Sequence, residues 1–85
     1  MKVYVVSYEF GRNDEVEGSG FWWYPNEDDA WTAYLEEQDI WKGYGFADVW
    51  CFPVEVTSLE TATEEVNEVR DDLMSDAFTT HMRVL

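Results

Sequence analysis

The stretch KVYVVSYEF, residues 2–10, decides the fold. It is dense in β-branched and aromatic residues and alternates with period two. Tyr4, Val6, Tyr8 and Phe10 fall on one face, and Val3, Val5, Ser7 and Glu9 on the other. That period predicts a strand. The following GRNDEVEGSG reads as a turn or open loop, and GFWWY, ending at Tyr24, as a second strand pairing with the first as a hairpin.

Pro25 and Asn26 end the second strand. Asn26 suits the N-cap of a helix whose first turn, Glu27-Asp28-Asp29, complements the positive end of the helix dipole. Ala30, Trp31, Tyr34, Leu35 and Gln38 form its expected inner face, and the helix is expected to fray by Ile40 to Trp41 before the loop Lys42–Gly45. Residues 46–56, FADVWCFPVEV, read as a third strand, with Pro53 indicating an edge position or a bulge. Thr57-x-x-Glu60 has the form of a capping box, and Ala62, Val66, Val69, Leu73 and Ala77 give a second helix an apolar stripe. The tail from Thr79 to Leu85 fits either a last short strand or a continuation of that helix. The order ββαβα predicts a single α+β domain over residues 1–85, a small antiparallel sheet with both helices on one face and an optional C-terminal strand.

Five cations face nineteen acids, for a formal net charge of −14 on 85 residues. At 46% hydrophobic and 18% aromatic the chain is composed to fold rather than to stay disordered. A globule of this length has a radius of gyration of about 12 Å. Its charge per unit length is then comparable to that of duplex DNA, which carries one negative charge per roughly 1.7 Å of axis. The single cysteine, Cys51, excludes an internal disulfide and a cysteine-rich zinc site, and the N-terminal run is too short and too polar for a secretory signal or a membrane span. Both features point to the cytoplasm.

The acids are patterned. Glu60, Glu64, Glu68, Asp71 and Asp72 recur at helical spacing on the side away from the apolar stripe, interrupted only by Arg70. Four residues of helix advance about 6 Å. Like charges at i,i+4 each cost roughly 0.2 to 0.5 kcal/mol, so an uncompensated stripe is a feature to explain. Glu27, Asp28, Asp29, Glu36, Glu37 and Asp39 repeat the theme on the first helix, and Asp14, Glu15 and Glu17 add to it. With both helices on one side, their outer faces are expected to merge into one anionic surface. A solvated outer face is the plain alternative.

Other chemistries fare worse. Asn13-x-Glu15-x-Glu17-Gly18 has the spacing of the start of an EF-hand loop, but the position that needs a bidentate Glu is Tyr24. His81 has no serine or cysteine pattern around it, and Cys51 lies between Trp50 and Phe52 as a buried thiol would. Gly18-Ser19-Gly20 lacks the spacing of a phosphate loop. No cofactor or metal and no enzymatic activity are expected, and the charge disfavours direct nucleic-acid binding. Phe21, Trp22, Trp23 and Tyr24 put aromatics on both faces of one strand, and Trp22 and Trp23 are candidate protein-contact residues.

NEDDAWTAYLEEQD and TSLETATEEVNEVRDD, together with small size and aromatic content, resemble small phage-encoded inhibitors of bacterial defence, the anti-CRISPR proteins and anti-restriction DNA mimics. The resemblance is compositional and spans about a third of the chain. It implies a non-enzymatic protein that blocks the DNA site of a basic nucleic-acid-binding complex, such as a CRISPR effector or a restriction enzyme. Two alternatives stand beside it. One is a small structural or regulatory interaction module, dimeric or not, using strand 21–24; the other is an acidic surface suited to a high-salt habitat.

Overall fold

The computed structural model describes residues 1–12, 15–41, 46–75 and 80–84. Four strands and two helices follow one another as β1 (Lys2–Arg12), β2 (Glu15–Tyr24), α1 (Glu27–Ile40), β3 (Phe46–Glu55), α2 (Ala62–Ser75) and β4 (Thr80–Val84). The fold is α+β with the expected ββαβα order. A short terminal strand resolves the choice left open at the tail. The sheet order is β2-β1-β3-β4, and every neighbouring pair is antiparallel. β2 and β3 are therefore parallel to each other with β1 between them, and α1 is the crossover that joins them. The radius of gyration is 12.6 Å, but the body is elongated, 39 × 23 × 22 Å.

The helices lie on opposite faces of the sheet, which corrects the expectation that they share one. Val3 and Val5 of β1 pack with Trp50, Phe52, Val54 and Val56 against Ala62 and Val66 of α2. Val6, the alternate residue of β1, packs with Val49 against Ala30 and Tyr34 of α1. The reason lies in β1 itself. Ser7 is fully buried and its hydroxyl donates to the Gly20 carbonyl at 3.5 Å, so the face carrying Val3, Val5 and Ser7 is as covered as the face carrying Tyr4, Val6 and Tyr8. A strand apolar on both faces needs a cover on both.

The hairpin is longer than the sequence suggests. β2 begins at Glu15 rather than near Gly20, and Glu17 is the extra residue of a bulge between the pairs Phe10↔Gly18 and Gly11↔Val16. Gly18 and Gly20 lie directly opposite Phe10 and Tyr8, whose rings fill the space that a Cβ at either glycine would occupy. Cross-strand aromatic cover lets a Gly-rich segment stay in a strand. The segment Glu15–Gly18 is thus strand, not an ion-binding loop.

At Asn26 the side-chain carbonyl accepts from the amides of Asp28 at 2.8 Å and Asp29 at 3.3 Å, the expected cap. The inner face of α1 is narrower than expected: Ala30 and Tyr34 are buried, whereas Trp31 and Leu35 are about half exposed. The capping box at Thr57 does not form. Helix α2 starts at Ala62, and Glu65 reaches back to accept from the Thr57 amide and hydroxyl and from the Thr61 hydroxyl at 2.6 Å. Ala62 and Val66 are buried and Leu73 packs against the same cluster, while Val69 lies at its rim; Ala77 is outside the described residues. Pro53 sits in β3 beyond Cys51, the last residue paired with β4, so its missing amide faces an open edge.

Candidate interaction surface

Helix α2 presents the most regular feature on the outside of the molecule. With Ala62, Val66 and Leu73 directed at the sheet, the helical period sends Glu64, Glu68 and Asp71 to the opposite side, all three exposed, with Asp72 beside them. Arg70 does not interrupt this row. Its guanidinium lies 4.8 Å from the centre of the Phe21 ring and donates to the Ser19 hydroxyl at 3.4 Å, so the one cation of the helix is folded down onto β2. Glu60 lies in the segment before α2 and is not part of the helical row. Glu65 also leaves it, because its carboxylate is turned back on Thr57 and Thr61. The hydrogen bond from Thr61 first, then those from Thr57, hold that carboxyl below the ordinary glutamate range.

The acids of α1 lie across the sheet from this row, so the two helical faces do not merge into one surface. They are also less ordered around their helix. Asp28, Asp29, Glu36 and Asp39 are exposed, but Glu37 is half-buried and accepts from the Trp41 indole at 2.8 Å. Glu36, Glu37 and Asp29 all lie near Tyr24, and together with its burial, the larger effect, they raise its phenol above the usual value. Two exposed ion pairs join the Met1 amino group to Glu55 at 3.5 Å and Arg12 to Glu17 at 3.9 Å. The helical acids have no cationic partner among the described residues.

The aromatic strand divides between the faces. Phe21 and Trp23 go under α2, where the Trp23 indole donates to the Thr63 hydroxyl at 2.8 Å. Tyr24 packs beneath α1, and Trp22, on the same side, remains 56% exposed at the sheet edge. The two indoles run nearly parallel, with ring centroids 6.0 Å apart and planes 8° from each other. Tyr8, Phe10 and Trp41 form a second aromatic group, in which Phe10 and Trp41 stack at 4.2 Å. Cys51 is half-buried on the α1 face, and burial, aided by Glu27, raises its thiol above the ordinary value, which keeps it protonated and weakly nucleophilic at neutral pH.

Among the described residues, no group of three His, Cys, Asp or Glu side chains is arranged to hold a metal ion, and no helix is long and apolar enough to cross a membrane. What the fold and surface define is an acidic helix–sheet–helix sandwich with one ordered anionic row and one exposed aromatic edge. Comparison with protein-family models, with curated proteins and with solved structures finds no match.

Proposed function

We infer that the chain is a non-enzymatic inhibitory protein that imitates nucleic-acid charge and occupies the DNA site of a basic complex of bacterial defence, acting in the host cytoplasm. The observation that carries this reading is the unpaired row Glu64, Glu68 and Asp71, kept free of its own arginine by the packing of Arg70 on Phe21. Carboxylates at steps of about 4.5 to 6 Å along a helix offer a target's arginines and lysines what a phosphate backbone offers them. The split of the helices adds to this. A body 23 × 22 Å in cross-section carries acids on both broad faces, as a duplex carries phosphates on both sides of its base stack. Steering by a charge of −14 makes the encounter fast and salt-sensitive.

The test is expression in bacteria that carry one active CRISPR or restriction system each. Wild-type chain is expected to restore plating of a targeted phage in at least one host, and the triple charge reversal of Glu64, Glu68 and Asp71 to lose that effect while remaining folded. Equal protection by the two chains contradicts the reading.

A second reading, an interaction module or homodimer built on the aromatic edge, is favoured by one observation: Trp22 is more than half exposed on an edge strand ten residues long. Under it, Trp22→Ala abolishes the complex and moderate salt leaves it intact.

A further inference from the structure

A cavity of about 500 Å³ opens on the α1 face, on the side of the sheet away from the acidic row of α2. Its walls come from the first turn of α1, the start of β1 and the middle of β3: Tyr4, Glu27, Asp28, Trp31, Cys51 and Pro53. The carboxylates of Glu27 and Asp28 lack a cationic partner among the described residues. Lys2 also lines the cavity and makes no ion pair with them. Trp31 rests one side of its indole on Tyr34, with ring centroids 4.9 Å apart, and keeps 48% of its surface open.

An aromatic plane beside two unpaired carboxylates, inside a molecule of net charge −14, fits a guanidinium. That group stacks on aromatic faces, pairs with carboxylates through two parallel hydrogen bonds, and gives up water more readily than an ammonium does. We propose that this cavity is a binding site for an arginine side chain presented by a partner protein, a contact separate from the α2 row. The stacking surface is Trp31 with Tyr4, and Glu27 and Asp28 receive the charge. Arginine is preferred over lysine because the site offers a plane as well as a charge.

Cys51 supplies the readout. It is the chain's single cysteine and it lines this cavity, so any thiol reaction of the chain reports on this place. The probes are three blocked tripeptides, Ala-Arg-Ala, Ala-Lys-Ala and Ala-citrulline-Ala, added to the intact chain at low salt. The rate of Cys51 alkylation by N-ethylmaleimide and the Trp31 indole signal in a ¹H–¹⁵N spectrum are followed. The arginine peptide is expected to slow alkylation at least threefold and to shift the Trp31 signal, with the lysine peptide severalfold weaker and the citrulline peptide inert. Glu27→Gln, which leaves the helix cap in place, and Trp31→Ala are each expected to weaken the protection. Equal protection by arginine and lysine, or protection indifferent to Glu27→Gln, overturns the proposal and leaves only diffuse attraction to an acidic surface. Because no target complex takes part, failure here leaves the reading of the α2 row untouched.

Discussion

Under α2 the sheet offers aliphatic Val3, Val5 and Val54 around Phe52 and Trp50; under α1 it offers Tyr4, Tyr8 and Tyr24 around Val6 and Val49. On the α2 side Phe21 and Trp23 of β2 join Trp50 and Phe52, and the small residues Ala62 and Val66 of the helix meet this surface. Each helix buries two residues fully, Ala62 and Val66 on α2 and Ala30 and Tyr34 on α1, but a cavity stays open beside Trp31 on the α1 side. The consequence reaches the surface. A helix seated by a regular stripe presents its acids in a row, whereas α1 distributes its acids around the helix and turns Glu37 inward. The order of the charge on each outside follows from how the acids are spaced along each helix relative to its buried residues.

The largest effect expected from breaking this comparison is in stability. Phe52→Ala, at a nearly buried position on the α2 side, costs about 3 to 5 kcal/mol. Trp31→Ala, half exposed on the α1 side, costs about 1 to 2 kcal/mol. Urea denaturation followed by circular dichroism measures both, and a loss at Trp31 as large as that at Phe52 would mean that Trp31 is seated in the core and does not line an open cavity. Next comes target binding. Reversing Glu64, Glu68 and Asp71 to Lys weakens binding at least about a hundredfold, near 2.8 kcal/mol. It holds or raises the thermal midpoint, since three reversals of two charges each take the net charge from −14 to −8 and turn the i,i+4 repulsion of residues 68 and 72 into an attraction. The matching reversal of Asp28, Glu36 and Asp39 on α1 weakens binding less than about tenfold. Similar losses from both sets would erase the distinction between row and scatter.

Smaller effects sharpen the same contrast. Gly20→Ala forces Tyr8 from its place over the neighbouring strand and costs about 1 kcal/mol, read from the denaturation midpoint. The smallest effect concerns Glu65. Its carboxyl is held below the ordinary value of 4.5, so the stability it contributes is complete above that pH and is lost as pH falls through the lowered folded value. Glu65→Gln is therefore expected to lower the thermal midpoint at pH 7, with the deficit closing as the pH drops below 4.5. A deficit that persists at pH 2 would mean that the side chain acts by shape and not by charge.

Much of the fold could be read from residue order. The alternation in β1, the Asn26 cap and the apolar spacing of α2 each follow from local periodicity, and local periodicity is what a single sequence carries. The placement of the helices is a tertiary fact. Its clue was the apolar character of both faces of KVYVVSYEF, masked by Ser7, whose hydroxyl reads as outward-facing until its bond to Gly20 is seen. The strand through Glu15–Gly20 was hidden for a similar reason, since its glycines are made strand-compatible by Tyr8 and Phe10 across the ladder. At the surface, Glu64, Glu68 and Asp71 were legible from spacing. The folding-back of Glu65 and Arg70 was not, because each depends on a partner at a distance along the chain. The cavity at Trp31 draws on three separate elements and has no signature in any one of them.

A mimic of nucleic-acid charge and DNA compete for one site on the target. A defence complex from a host in which the chain restores phage plating is loaded with a fluorescently labelled duplex bearing its own recognition site, and anisotropy is followed as intact chain is added in roughly 50 mM salt. Displacement of the duplex at stoichiometric amounts, lost on reversing Glu64, Glu68 and Asp71, is the predicted result. A ternary complex in which the duplex stays bound, or displacement unchanged by the reversal, would contradict it.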